Sequence, residues 1–423
     1  MKKDNAYTNI PLVAIDPGSS SLKAMAAISA PGDEERLHIL GFEQSKRMDC
    51  ISKGRVIQTS SLGYLISEEL KLLSNRINRI GHYGQLSSAF VTVGGKNMGC
   101  ANIPAKRVYG YQPVLSASYI NEMVEECKAK FQQKYPDYSI IHIRPAHYDI
   151  DGEIFGPELP LGKRGDNIHA MFTAFYGDNK MLPELTNSFD RSAAAIEDIF
   201  PRPVALLEAL ASEEDERLGL AILDFGAETT TVTVYKNGEF IRSRTIPLGG
   251  RNITSDIQQM HIAPEFAEML KQRYGLASEH YLKQNQTLVI PSSVQGEEDV
   301  RLPKAMLTEI INSRLDEILQ EPLKILQQYE DTISVVYVTG GASRLSHLVD
   351  YLGQIIRIPV VYGSHADWLD DDTPKIFYAP EYSALVGSLL LARKYRKTHQ
   401  PPAPKKTIGK VKEALLGLFT DQQ

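Results

Sequence analysis

Two turns of the same layout constrain the fold of this chain more than any other feature. The apolar run 11–15 leads into Asp-Pro-Gly-Ser-Ser-Ser-Leu-Lys at 16–23, and the apolar run 218–223 leads into Asp-Phe-Gly-Ala-Glu-Thr-Thr-Thr at 224–231. A further strand-like run follows each turn. One such turn is typical of an ordinary hairpin. Two of them, half a chain apart, predict two lobes that each place one loop at a shared cleft.

The residue types in these turns suit phosphate binding. Glycine lets the backbone come close to an anion. Consecutive N–H groups and small hydroxyl side chains then cradle phosphate oxygens. Lys23 supplies a positive charge, and Asp16, at the end of its strand, is expected to orient a hydrated Mg2+ ion that keeps several of its waters.

A third turn, Gly340-Gly341, follows the apolar run 334–339 and is expected beside the adenosine of a bound nucleotide. A plain turn is the alternative at this position. Runs with helical periodicity separate the strand-like runs, so the predicted class is α/β with mixed sheets. Neither GxxxxGK[ST] nor GxGxxG after a strand occurs, and P-loop and dinucleotide folds therefore lack their signals.

Length and composition fit a folded protein of more than one lobe. The chain has 423 residues, 43% of them hydrophobic, and a formal net charge of −6. A chain of this length exceeds one compact core, and its charge gives no general attraction for nucleic acid. Three widely spaced cysteines indicate a reducing compartment. No apolar run approaches the roughly 20 residues that span a bilayer, so secretion and membrane spanning are not expected.

The sequence resembles the bacterial cell division protein FtsA, of the actin, chaperone and sugar-kinase ATPase superfamily. The matching blocks include TVGGKNMGCAN at 92–102, LEALAS at 207–212, residues 223–257 and VTGGASRL at 338–345. Sugar kinases and chaperones share the phosphate loops but lack the block around 94–102. The resemblance implies a two-lobed actin-like fold with an inserted IC subdomain and a C-terminal amphipathic helix.

The resemblance also implies subdomain boundaries and a function. We expect IA at 1–88, 163–206 and 376–398, IC at 89–162, IIA at 207–257 and 329–375, IIB at 258–328, a linker at 399–406 and the amphipathic helix at 407–420. Proteins of this family bind ATP, polymerise, attach to the inner face of the cell membrane at the division site and tether FtsZ there. Subdomain IC is expected to meet other division proteins.

Site residues follow from the matching positions. Nucleotide contacts are expected from Asp16, Gly18, Ser19, Ser20, Lys23, Asp224, Gly226, Thr229, Thr230, Glu268, Lys271, Gly340, Gly341 and Arg344. Asp16 and Asp224 are expected to hold Mg2+ through water. Glu208 lies where relatives polarise a water, although it also fits a structural carboxylate near a helix end.

The second loop departs from the family. Relatives show a run like Asp-Ile-Gly-Gly-Gly-Thr-Thr-Asp, whereas Ala227, Glu228 and Thr231 stand here in place of Gly, Gly and Asp. Glu228 is expected to point away from the phosphates, because like charges repel at short range. The missing acid at Thr231 removes a possible Mg2+ or water ligand. We therefore expect nucleotide binding with slow or no hydrolysis.

The C-terminal tail has the pattern of a helix that lies in a membrane surface. A proline-rich linker precedes it. Its apolar face comprises Ile408, Val411, Leu415, Leu418 and Phe419, and its basic side comprises Lys405, Lys406, Lys410 and Lys412. A helix that docks on its own protein is the alternative.

Arg301, Lys304 and Arg314 place positive charge in the expected IIB region, where FtsA proteins bind the FtsZ C-terminal peptide. Arg314 matches an arginine common in the family and is the preferred residue, whereas a solvated face is the alternative for Arg301 and Lys304. Two other functions remain open. A sugar or acetate kinase of this superfamily needs an acidic base beside its substrate, and the sequence shows none. A pilus-assembly protein of the same fold is the third possibility.

Overall fold

The computed structural model describes residues 10–45, 48–158, 160–284, 286–291 and 298–398. Its strands are β1 (Leu12–Pro17), β2 (Leu22–Ala30), β3 (Asp33–Gln44), β4 (Ile51–Ser52), β5 (Arg55–Val56), β6 (Ser88–Val93), β7 (Gly99–Val108), β8 (Tyr138–Ile150), β9 (Glu153–Phe155), β10 (Asn167–Asp178), β11 (Ala195–Pro201), β12 (Leu220–Phe225), β13 (Thr230–Lys236), β14 (Glu239–Ile246), β15 (Thr287–Ile290), β16 (Val300–Pro303), β17 (Val335–Thr339) and β18 (Val360–Tyr362).

The helices alternate with these strands. They are α1 (Thr59–Ile77), α2 (Ala117–Lys134), α3 (Met181–Ser192), α4 (Arg202–Leu210), α5 (Glu213–Leu218), α6 (Gly250–Gln258), α7 (Pro264–Tyr274), α8 (Lys304–Gln328), α9 (Leu348–Ile355) and α10 (Ser383–Thr398). Short 3-10 turns lie at Glu279–Tyr281, Gly341–Arg344, Ala366–Trp368, Lys375–Tyr378 and Pro380–Tyr382. None of the helices in the described part of the chain is long and apolar enough to cross a membrane.

The first lobe is built on a five-stranded sheet with the order β11-β6-β1-β2-β3. Strand β1 is buried on both faces, because its side chains alternate between two cores. Val13 and Ile15 pack with α1, whereas Leu12 and Ala14 pack with α10. This explains why the run is apolar throughout rather than alternating.

The second lobe contains a nine-stranded sheet with the order β18-β17-β12-β13-β14-β7-β10-β8-β9. Its β12 repeats the local arrangement of β1. Strand β1 pairs antiparallel with β2 and parallel with β6, and β12 pairs antiparallel with β13 and parallel with β17. Asp16 lies opposite Lys23 in the first pair, and Asp224 lies opposite Thr231 in the second. The two predicted turns are therefore structurally equivalent.

Strand pairing crosses two of the expected boundaries of the inserted subdomain. The expected range 89–162 begins inside β6, which is hydrogen-bonded to β1 and β11 in the first sheet. Strand β10 lies beyond the expected end, yet it pairs with β7 and β8. Sheet partners come from distant parts of the chain, and local patterns do not reveal such pairing. The expected helix at 407–420 lies outside the described residues.

Helices α4 and α10 cross at a contact that permits no side chain. A Cβ atom on Gly387 would lie 1.7 Å from the carbonyl oxygen of Ala205. The close approach brings α4 against the first sheet and fixes where its first residue, Arg202, projects.

We expect Gly387→Ala to lower the free energy of unfolding by at least about 2 kcal/mol, because the new methyl group must push the two helices apart. The matched control is Gly353→Ala in α9, where the added Cβ meets nothing within 4 Å. That change should stabilise the protein by up to about 1 kcal/mol through helix propensity. Equal effects of the two changes in urea unfolding would contradict this account of the crossing.

Candidate functional site

The two equivalent turns face one another across a cleft of about 830 Å³ between the lobes. Most of the residues predicted to contact nucleotide line it. They are Asp16, Gly18, Ser19, Ser20, Lys23, Asp224, Gly226, Thr229, Glu268, Lys271, Gly341 and Arg344. The cleft lies within the range of about 300–1,000 Å³ that is usual for small-molecule sites.

The first turn leaves backbone donors for a ligand. The N–H group of Gly18 bonds to the carbonyl oxygens of Asp16 and Ser21, both at 3.1 Å, and closes the turn. The N–H groups of Ser19 and Ser20 have no protein acceptor among the described residues. Successive N–H groups of this kind form a concave site for an anion.

Two glycines, Gly249 and Gly250, pack against the backbone of the second turn. The N–H of Gly226 bonds to Thr229 O at 2.8 Å, and the N–H of Gly250 bonds to Gly226 O at 3.0 Å. A Cβ on Gly249 would lie 2.6 Å from Gly226 O, so no larger residue fits there. Ala227 lines the cleft. Its methyl group therefore stands where bare backbone would otherwise face a ligand.

Arg202 joins the two turns, a role that no pattern in the sequence indicates. It is the first residue of α4. Its Nη1 donates to Asp16 Oδ2 at 2.7 Å, and its Nε donates to Asp224 Oδ2 at 2.6 Å. The Arg202 side chain is 19% exposed, and those of Asp16 and Asp224 are 7% and 6% exposed. One guanidinium thus bridges the acidic residues that end β1 and β12.

Burial and charge act in opposite directions at this centre. Burial alone would lower the pKa of Arg202, but the charges of Asp16 and Asp224 and the hydrogen bonds to them outweigh it and raise the pKa. Burial, assisted by the charge of Arg202, lowers the pKa of Lys23 against the opposing effect of Asp16. Lys23 Nζ also donates to the carbonyl oxygen of Glu381 at 3.2 Å.

The expected Mg2+ site does not fit this arrangement. The carboxylate oxygens of Asp16 and Asp224 that face each other across the cleft are already hydrogen-bonded to Arg202. The other oxygen of Asp224, Oδ1, is buried and has no hydrogen-bond partner among the described residues. In the part of the chain that the structure describes, no group of three or more His, Cys, Asp and Glu side chains is arranged to hold a metal. As they are paired in this structure, Asp16 and Asp224 do not fit the expected Mg2+ site.

Glu268 and Lys271 lie one helical turn apart on α7 and form a network with α6. Lys271 Nζ donates to Glu268 at 2.7 Å, to Thr254 Oγ1 at 2.8 Å and to Gly250 O at 2.9 Å. Burial alone would raise the pKa of Glu268, but the charge and hydrogen bond of Lys271 lower it. The pair is therefore a fixed part of the cleft wall.

The third turn closes the opposite wall. Gly340 has φ +88°, and a Cβ atom there would lie 2.4 Å from Phe225 O and 2.5 Å from Asp224 Oδ1. Glycine is required here by both conformation and space. Arg344 Nη1 lies 2.6 Å from Glu381 Oε1 at the rim of the cleft.

Glu228 points away from the cleft and connects the lobes at its mouth. Its carboxylate accepts from the backbone N–H of Lys53 at 2.6 Å and from Arg251 Nη1 at 2.5 Å. Arg251 Nη2 donates to Ser19 O at 2.9 Å. The expected orientation of Glu228 is therefore confirmed, and its charge is compensated by groups from both lobes.

Three predicted residues do not line the cleft. Thr230 lies between Thr229 and Thr231 and points to the other face of the strand, where it donates to Leu248 O at 2.9 Å. Gly340 precedes Gly341 in the third turn, and only Gly341 lines the cleft. Glu208 is paired with Lys394 of α10 at 2.6 Å, because it projects from a different side of α4 than Arg202. This pairing is consistent with the structural alternative for Glu208, and the residue does not line the cleft where a catalytic role would place it.

The basic residues expected to bind a partner peptide differ in their surroundings. Arg314 Nε and Nη2 donate to the two carboxylate oxygens of Asp256 at 2.5 and 2.8 Å, and Arg314 also pairs with Glu317. Its charge is thus committed within the chain. Arg301 on β16 is exposed, and Lys304 begins α8. Neither side chain has a carboxylate partner among the described residues. All predicted membrane-contacting residues, 405–419, lie outside the described ranges.

Comparison with known proteins supports the resemblance seen in the sequence. The family model "Cell division protein FtsA" matches residues 221–387. FtsA of Escherichia coli (strain K12) is 25% identical over 319 residues, which cover 72% of this chain and 74% of the relative. FtsA of Neisseria meningitidis serogroup B (strain ATCC BAA-335 / MC58) is 24% identical over 402 residues, covering 93% and 92%. The predicted resemblance is confirmed.

Solved structures confirm the predicted fold. The PilM–PilN type IV pilus biogenesis complex has a TM-score of 0.64 at 15% identity, covering 91% of this chain and 99% of the matched chain. MreB5 of Spiroplasma citri bound to ADP has a TM-score of 0.55 at 11% identity, covering 92% and 98%. At these identities the likeness shows an actin-like fold and nothing about ligands.

We expect Arg202→Ala to lower the free energy of unfolding by about 3–5 kcal/mol, because two buried carboxylates lose the cation to which both are hydrogen-bonded. Removal of all three charges, by Asp16→Asn, Asp224→Asn and Arg202→Met together, should restore most of that loss. The control is Arg76→Ala, whose ion pair with Glu43 is 57% exposed on the arginine side and should cost less than about 1 kcal/mol. A loss at Arg202 no greater than at Arg76, measured by denaturant titration, would refute the bridge.

Proposed function

Because this chain is a relative of FtsA with an actin-like fold, we propose that it is an ATP-binding cell division protein. In this proposal it assembles into filaments on the cytoplasmic face of the cell membrane and tethers FtsZ there. Nucleotide acts as a ligand that stabilises the closed and assembling form. The hydrolysis of ATP is slow or absent.

The observation that carries the nucleotide part is the cleft itself. Its two phosphate-type turns, Ser19-Ser20 and Ala227-Glu228, present N–H groups from opposite lobes that have no acceptor among the described residues. A ligand that contacts both turns binds better to the closed arrangement than to an open one, and it thereby shifts the population toward closure. The ADP bound by the structurally similar MreB5 is consistent with an adenine nucleotide here.

Slow hydrolysis is supported by the second loop and by the setting of the acidic residues. Thr231 lines the cleft where relatives have an acid, so a candidate ligand for a water molecule is missing. Each described carboxylate that lines the cleft has one oxygen hydrogen-bonded to a cation: Asp16 and Asp224 to Arg202, Glu268 to Lys271 and Glu381 to Arg344. Such pairing stabilises the charged form of a carboxylate and weakens it as a general base. The same pairing counts against the kinase alternative, which also needs a basic carboxylate beside its substrate.

We expect the full-length protein to bind ATP and Lys271→Met to weaken that binding by about tenfold or more, because a buried charge-assisted contact is lost. Isothermal titration calorimetry measures the affinity. Lys394→Met is the matched control, since Lys394 is 63% exposed and paired with Glu208; it should leave the affinity unchanged. Absence of ATP binding by the wild-type protein would overturn the nucleotide part of the proposal.

Membrane attachment in this proposal depends on the basic, amphipathic tail. Each of its lysines near an anionic surface contributes about 1 kcal/mol, so that one tail binds reversibly. A filament that presents many tails would bind firmly through effective concentration. The FtsZ peptide is assigned to the surface around Arg301 and Lys304, whose charges are uncompensated among the described residues, in preference to Arg314.

We expect the full chain to carry FtsZ onto anionic vesicles in a sedimentation assay, and a chain ending at residue 404 to leave both proteins in the supernatant. Arg301→Glu should abolish the recruitment of FtsZ while the chain itself still sediments. Arg357→Glu, at an exposed arginine beside Glu330, is the charge-matched control. Vesicle binding without the tail would refute the membrane assignment, and a chain that binds vesicles but not FtsZ would favour the pilus-assembly alternative.

A further inference from the structure

Arg202 lies where a nucleotide-binding cleft of this layout would have its divalent cation. Its planar guanidinium contacts one carboxylate oxygen from each lobe, at 2.7 Å to Asp16 and 2.6 Å to Asp224. These are the strand-end acids that the sequence pattern assigns to hydrated Mg2+. Mg2+ demands nearly octahedral oxygen ligands and retains several waters. One oxygen of each acid is already hydrogen-bonded to the guanidinium.

We propose that Arg202 replaces the divalent cation between the two loops, so that this chain binds the phosphates of its nucleotide without Mg2+. The inference concerns the charge and the metal requirement of the cleft, and it rests on the proposed function in taking an adenine nucleotide as the ligand. Its central element, the exclusion of a cation by Arg202, is tested without any nucleotide.

Charge compensation supports the replacement. Asp16 and Asp224 bring two negative charges to the place where phosphates would lie, and bare phosphates would be repelled by them. Arg202 and Lys23 bring two positive charges, which equal the charge of one Mg2+ ion. The charge of Asp16 acts on both cations and tends to raise the pKa of each. The cleft is therefore neutralised at its centre by side chains that are always present.

The stem of Arg202 is held in a prepared position. A Cβ atom on Gly94 would lie 3.0 Å from Cδ and 3.1 Å from Cβ of Arg202, so a glycine at this position makes room for the arginine. Arg202 also begins α4 directly after β11, whose pairing with β6 brings Gly94 alongside. The guanidinium therefore needs little reordering to hold both acids, and a fixed fork loses little entropy on bonding.

Displacement of Arg202 by a metal is unfavourable. A divalent cation entering between the two acids would meet a buried guanidinium of like charge and would have to break both of its charge-assisted hydrogen bonds. Hydrogen bonds between charged groups are roughly twice as strong as those between neutral groups. Among proteins with this layout, a chain with arginine here should therefore bind nucleotide with the same affinity whether or not Mg2+ is present.

The experiment uses the full-length protein and two probes. With Mn2+ alone as the probe, electron paramagnetic resonance should detect no bound ion in the wild-type cleft, whereas Arg202→Gln should gain one site. With ATP as the probe, calorimetry should give wild-type affinities that agree within about twofold in MgCl2 and in EDTA, and Arg202→Gln should bind at least about tenfold more tightly with Mg2+ than in EDTA.

Arg396→Gln is the matched control, because Arg396 is also buried, at 16% exposure, and bonded to the carboxylate of Glu197 outside the cleft. It should gain no Mn2+ site. A wild-type Mn2+ site that Asp16→Asn abolishes would overturn the proposal, and so would a tenfold dependence of wild-type ATP affinity on Mg2+. If Arg202→Gln does not fold, the wild-type measurements decide alone.

The two ideas fail in different ways. If ATP does not bind under either condition, the proposed nucleotide function is wrong, and the Mn2+ comparison still decides whether Arg202 excludes a cation. If ATP binds only with Mg2+, the nucleotide function stands and the replacement by Arg202 is refuted.

Discussion

The contact of one guanidinium with two carboxylates from different sheets is the interaction on which the arrangement of the cleft depends. Asp16 ends β1 in the first lobe and Asp224 ends β12 in the second, and without a cation their charges would repel each other and hold the turns apart. Arg202 replaces this repulsion with the attraction of both acids to a shared cation. Its position in turn depends on the close crossing of α4 with α10 and on the absence of a side chain at Gly94. Backbone packing far from the ligand thus determines the electrostatics of the site.

The same compensation recurs around the cleft. Glu228 accepts a hydrogen bond from the backbone of Lys53 in the first lobe and pairs with Arg251 in its own lobe. Lys271 pairs with Glu268, and Arg344 pairs with Glu381. A surface arranged in this way offers backbone N–H groups and cations to an anion, and the pairing of its carboxylates weakens them as bases toward a water molecule. This distribution suits a ligand that holds two lobes together. It agrees with the substitutions in the second loop, where a methyl group and a turned-away carboxylate replace bare backbone.

The predictions that succeeded concern features encoded by neighbouring residues. A strand followed by Asp-x-Gly and hydroxyl residues forms a turn wherever it occurs, because the conformational freedom of glycine and the local hydrogen bonds are enough to build it. The features that the sequence did not predict concern partners that are distant in sequence. The expected range of the insert, 89–162, excludes β10, but β10 pairs with β7 and β8 across the sheet. Thr230 was included with its neighbours, although strand alternation directs it to the other face.

The sequence by itself determined the two phosphate-type turns, the α/β class and the resemblance to FtsA, because each of these depends on short stretches of contiguous residues. Only the tertiary structure decided what stands between the turns. Arg202 is 186 residues from Asp16 and lies in a segment that reads as the start of an ordinary helix. Its meeting with both acids arises from the folding of three separate segments onto one another, and no local pattern specifies which charged side chain a buried carboxylate will contact.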